Sequence, residues 1–191
     1  NQDRDSYRVV YKDFRDKVWT LYSSGISSAN VNQNLTAALT KEDMVSLTYE
    51  NTKLLQDLTT GTKLSKSQLI KKVEQAGLFN SVLDPDNAKG FALTIKDSAT
   101  INRVACARFL WNLYVMKKGN KKLATRYSSR YSKMTNAKSP VADIVIENVD
   151  FDAVLGVVEN EIMNLPDGKN FNPGEEVTIL DFLSYLKKLE S

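Results

Sequence analysis

Four cations recur at helical spacing in the middle of this chain. Lys122, Arg126, Arg130 and Lys133 stand at i, i+4, i+8 and i+11, so a helix carrying them presents one basic stripe. One residue further on run Leu123, Tyr127, Tyr131 and Met134. A row of cations can follow a phosphate backbone, and tyrosine rings beside it can stack on unpaired bases. Thr125, Ser128, Ser129 and Ser132 add hydroxyls suited to phosphate oxygens. Arg108, Lys117, Lys118 and Lys121 precede the stripe. Together with Lys122, Arg126, Tyr127, Arg130, Tyr131 and Lys133 they make up the candidate nucleic-acid-binding set.

Other chemistry finds little support. The chain contains no histidine, which removes histidine-activated nucleophiles, histidine metal sites and the usual general base near neutral pH. The single cysteine, Cys106, lies in the apolar run Val104-Ala-Cys-Ala-Arg108 and reads as a small core residue. A reactive thiol needs exposure and a neighbour that stabilises the thiolate. Asp84-Pro-Asp86 begins like a calcium loop, but the sixth and twelfth positions hold Lys89 and Ile95 rather than Gly and Glu. Neither glycine-rich phosphate-loop pattern occurs. Glu159 and Glu161 fall on different faces of a helix, and Glu175-Glu176 falls in a turn region. The residues therefore indicate no catalytic group, no metal site and no cofactor.

Charge is unevenly divided. Residues 98–142 hold ten Lys/Arg and no Asp or Glu, whereas residues 143–191 hold three basic and eleven acidic residues. Mixed charge is the norm on solvated helices, so a long stretch without a carboxylate is unusual. Two explanations fit. The basic face meets an anionic partner, or it docks against the acidic helices of the same molecule.

The elements that position these residues read as helices. Only 8 Gly and 4 Pro punctuate 191 residues, too few for an all-β chain with its frequent turns. Tyr7, Val10, Tyr11, Phe14, Val18 and Leu21 line one face of a helix over residues 6–24, before a polar stretch at 27–36. Thr40-Lys-Glu-Asp43 and Ser65-Lys-Ser-Gln68 are capping-box starts, the second with Leu64 and Leu69 as a hydrophobic staple and Gly77 as its stop. Residues 98–118 form the most apolar helix, ended by Gly119, and residues 120–134 the next. Ser139-Pro140 is a helix opening, with Pro at the first turn where no amide bond is lost. Asp150 caps a helix reaching Leu165, and Thr178 starts the last, with Ile179, Phe182, Leu186 and Leu189 inward. The expected fold is all-α, an irregular bundle of about seven helices. Residues 1–138 make a helical domain with the basic centre, and 139–191 an acidic C-terminal subdomain or part of the same domain.

Composition bounds the rest. Hydrophobic residues at 42% and charged residues at 26% suit a globular chain able to bury a core. The run from Ile101 to Met116 is apolar at 12 of 16 positions but falls short of the ~20 residues of a membrane span. A lone cysteine excludes an internal disulfide and leans towards the cytoplasm, while a removed signal peptide remains open because the first residue is Asn1. Asn34-Leu-Thr36 matches a glycosylation triplet. The functional expectation is non-enzymatic, sequence-nonspecific binding of single-stranded nucleic acid, in the manner of a nucleocapsid or coat protein that self-associates. The alternative is a helical protein–protein interaction module, such as a bacterial accessory or effector protein, with the basic stretch paired internally. An enzyme comes third.

Overall fold

The computed structural model describes residues 35–61, 63–81 and 96–191. Within them the chain is helical and has no strand longer than an isolated bridge. The elements are α1 (Lys41–Asn51), α2 (Gln56–Thr59), α3 (Lys66–Gln75), α4 (Arg103–Lys118), a 3₁₀ helix (Lys121–Thr125), α5 (Arg126–Ser132), α6 (Phe151–Glu159) and α7 (Ile179–Glu190). The all-α expectation holds. The predicted helix over 6–24 and the Asp84-Pro-Asp86 turn lie outside the described residues.

Helix starts follow their caps. The side chain of Thr40 accepts the Asp43 amide while Asp43 accepts that of Thr40, and Ser65 and Gln68 make the same reciprocal pair. Asn102 and Thr178 cap α4 and α7 by accepting the amides of Ala105 and Asp181. Three of these caps come directly after a buried apolar residue: Leu39-Thr40, Ile101-Asn102 and Val177-Thr178. Leu39, Ile101 and Val177 form a closed ring of backbone hydrogen bonds. Leu39 N–H donates to Val177 (2.8 Å), Val177 to Ile101 (3.2 Å) and Ile101 to Leu39 (2.8 Å). All three side chains are buried. Helices α1, α4 and α7 thus set out from one hub, which is why α4 begins at Arg103 and not at the predicted Ser98. Thr100 and Asn102, on either side of Ile101, make isolated bridges to Thr40 and Glu176.

Helix α4 is apolar nearly all round and is accordingly buried nearly all round, with Cys106, Phe109, Leu110, Trp111 and Leu113 at its centre. It ends at Gly119, whose φ of 62° is the left-handed cap geometry that favours glycine. On α6, Gly156 permits the closest approach to α4, because a Cβ there would overlap the Trp111 indole. Lys41 is buried on α1, where Glu74 on α3 (2.5 Å) and Asp97 (3.4 Å) satisfy its ammonium. The buried cluster draws on residues from Leu39 to Leu189 and includes side chains on both sides of residue 139.

Three predicted helices differ in the structure. The segment after Ser139-Pro140 is turns, not helix. Ser139 Oγ accepts the Val141 amide, and Asp143 ties the segment to a distant loop by accepting the amides of Phe171 (2.7 Å) and Asn172 (2.8 Å). Helix α6 stops at Glu159 rather than Leu165. The Asn160 side chain donates to the Gly156 carbonyl, and Glu161 adopts a φ of 59°, folding Ile162 and Met163 back into the core. Asp150 sits at the start of α6, but its carboxylate faces Arg108 and caps no amide. Residues 120–134 also divide in two, as described next.

Candidate basic surface

The predicted stripe is not on one helix. Asn120 accepts the Lys122 amide and starts the 3₁₀ turn, and Thr125, at φ −120° and ψ 20°, separates it from α5. The start of α5 is set from outside. Asp152, buried on α6, accepts the amides of Tyr127 (2.8 Å) and Ser128 (2.9 Å) with a single oxygen. A carboxylate at a helix N-terminus satisfies orphan amides and opposes the positive end of the helix dipole. Arg126 and Arg130 therefore share a face of α5, Lys133 follows at its C-cap, and Lys122 stands on the preceding turn.

The cations fall into two groups. Arg103 and Arg108 are internal. Arg103 donates to the carbonyls of Phe171 (2.7 Å) and Asn164 (2.6 Å) and to the Tyr185 hydroxyl (3.2 Å). It borders a cleft of about 200 Å³ shared with Asn164, Glu175, Glu176 and Asp181. Arg108 makes a bidentate pair with Asp150, its Nη2 lying 2.7 Å from Oδ2, with both side chains largely buried. That leaves Arg108 with no charge to offer a strand, which corrects its place in the candidate set. Lys117, Lys118, Lys121, Lys122, Arg126, Arg130, Lys133 and Lys138 are exposed. Lys117 donates to the Leu189 and Glu190 carbonyls at the end of α7, a favourable place for a cation. Lys118 lies 5.4 Å from the Tyr114 ring centre and Arg130 lies 5.6 Å from that of Tyr127.

The tyrosines expected to stack on bases are packing residues. Tyr127 is 4% exposed, its ring 6.0 Å from that of Trp111, and its hydroxyl accepts from Asn160. Burial, and then Glu159, push its phenol above the usual range. Tyr131 is half-buried, edge-on to Phe151 at 5.3 Å. Tyr114 stacks on Trp111 at 5.1 Å. The tyrosines that follow Arg126 and Arg130 form the ordinary inward face of α5.

The acidic region contributes little cover. Asp143, Asp152 and Asp167 each accept backbone amides, and Asp150 faces Arg108. Among the described residues no ion pair joins a carboxylate to Lys122, Arg126, Arg130 or Lys133. Glu159 is a further acid near α5, close enough to act on Tyr127. Asp152 is the residue that sequence reasoning missed, since no local pattern ties it to a helix 24 residues earlier. Lys138 was within reach, as the last cation of the carboxylate-free stretch.

The remaining candidates are plain. Cys106 is fully buried, and that burial pushes its thiol above the usual range. Phe182, Leu183, Tyr185 and Leu186 on α7 are all buried, so they offer no exposed apolar area for self-association. Among the described residues no helix is long and apolar enough to cross a membrane. Comparison with family models, with curated proteins and with solved structures returned no match, so the functional reading stands on these residues alone.

Proposed function

We propose that this chain is a non-enzymatic binder of polyanionic strands, nucleic acid foremost, through the cations between Lys117 and Lys138. The observation that carries this reading is the unequal use of charge. Eight Lys/Arg in that stretch are exposed, while four of the carboxylates after residue 142 are engaged with backbone amides or with Arg108. Solvent-exposed cations release counterions when they meet a strand, and that release drives sequence-independent binding. If Lys122, Arg126, Arg130 and Lys133 each neutralise one phosphate, the slope of log K against log salt is about −3 to −3.5. Fluorescence anisotropy on labelled oligonucleotides measures it. Replacing Lys122 and Arg126 by Gln is expected to halve the slope and leave thermal unfolding unchanged. Binding that is absent at low salt sinks the reading.

A second reading rests on a separate observation. Met134, next to Lys133 in the chain, and Val145, which lines a surface hollow with Lys138, are more than half exposed. Exposed apolar residues beside Lys133 and Lys138 suit an acidic protein partner, as in a helical interaction module. Assembly into a coat would have to use a face other than the apolar side of α7, which is internal.

A further inference from the structure

We infer that the basic surface reads the charge spacing of a phosphodiester strand and not its bases, so that a duplex is bound more tightly than a single strand. The inference rests on the binding reading above and deepens it. Stacking on a base requires an aromatic face open to solvent, and stacking is the chief reason a protein prefers unpaired nucleotides. In the basic stretch every ring is taken up by packing. Tyr127 is buried between Trp111 and Arg130, Tyr131 meets Phe151 edge-on, and Tyr114 has Trp111 on its ring and Lys118 beside it. Among the described residues the one large exposed aromatic is Tyr49, on α1 outside the stretch.

What the surface does present is ammonium and guanidinium groups, with the hydroxyls of Ser129 and Ser132 between them on exposed positions. These groups meet phosphate oxygens and carry no base preference. Duplex DNA offers one charge per ~1.7 Å of axis, about twice the density of a single strand, and so condenses more counterions for release. A surface that counts charge ranks the duplex first and treats an abasic strand like any other single strand.

The full chain is titrated at low salt against oligo-dT, oligo-dA, an abasic phosphodiester oligomer and a duplex, each about 20 nucleotides long, exceeding the ~4–16 nucleotides of a stacking site. Expected are affinities for the three single strands within about twofold of one another, a duplex bound several-fold more tightly, and no change on Tyr131→Leu. Oligo-dT or oligo-dA bound tenfold better than the abasic oligomer, or a single strand preferred to the duplex, overturns the inference and leaves the binding reading standing. No binding in any arm removes both. Circular dichroism of Tyr131→Leu separates a lost stack from a lost fold.

Discussion

Residues 98–142 and 143–191 carry opposite charge and use it in opposite ways. Three of the acidic side chains are short aspartates that accept backbone amides of the same molecule. Asp143 receives two amides of the 171–172 turn, Asp152 two of α5, and Asp167 those of Lys169 and Asn170. Lysine and arginine have no acceptor role and long stems, so in residues 98–142, apart from the internal Arg103 and Arg108, their apolar parts lie on the surface while the heads reach water. The charge asymmetry of the sequence is therefore not two faces that neutralise each other. Four carboxylates of one half hold loops, a helix start and Arg108 in place, while eight of the ten cations of the other stand on exposed positions.

The sharpest way to break this contrast is at the largely buried pair of Arg108 and Asp150, which joins the halves. Arg108→Ala leaves the buried Asp150 carboxylate without its partner and is expected to cost about 3–5 kcal/mol in urea unfolding, whereas replacing both residues by apolar ones of similar size restores most of it. If the single and double variants lose the same stability, the pair is not what binds α4 to the start of α6.

Asp152→Ala comes next. It orphans the Tyr127 and Ser128 amides at a buried helix start, with an expected loss of about 2–4 kcal/mol and early hydrogen exchange in α5. Asp152→Asn, which keeps an acceptor, is expected to recover about half of that loss. Equal exchange in α5 for the Ala variant and the parent chain would show that the cap is dispensable.

A smaller effect is expected on the acid limb of stability. Hydrogen bonds from Asn170, and then from Lys169, hold the Asp167 carboxyl at about 2, against an ordinary value of 3.8. The unfolded chain then binds the proton more readily than the folded one. This contribution is complete above about pH 4 and disappears as pH falls towards 2. Asp167→Asn is expected to flatten stability over that window and nowhere else, as read by unfolding at a series of pH values.

Smallest is the effect of Glu159, an acid beside the basic surface. Glu159→Gln removes a charge that opposes an incoming polyanion, and affinity is expected to rise about twofold at low salt and not at all at high salt. An unchanged affinity at low salt places the strand away from α5 and α6.

Local signals in the sequence determined a good deal of this protein. The capping boxes at Thr40 and Ser65, the Gly119 stop, the burial of α4 and the inward face of α7 follow from contacts within a few residues, which the chain makes whatever surrounds it. The exposed run of cations is also legible, because charge without a buried partner stays in water. Only the tertiary structure decided the rest. Nothing local separates an exposed tyrosine from Tyr127, whose ring is closed off by Trp111, 16 positions earlier, and whose hydroxyl meets Asn160, 33 positions later. Nor does any pattern distinguish Arg108 from Arg126, since one faces Asp150 and the other faces solvent. The hub of Leu39, Ile101 and Val177 joins single residues more than 60 positions apart. A single bridged residue has no periodicity to read. It takes its conformation from the two amides and carbonyls it meets when the three helices come together.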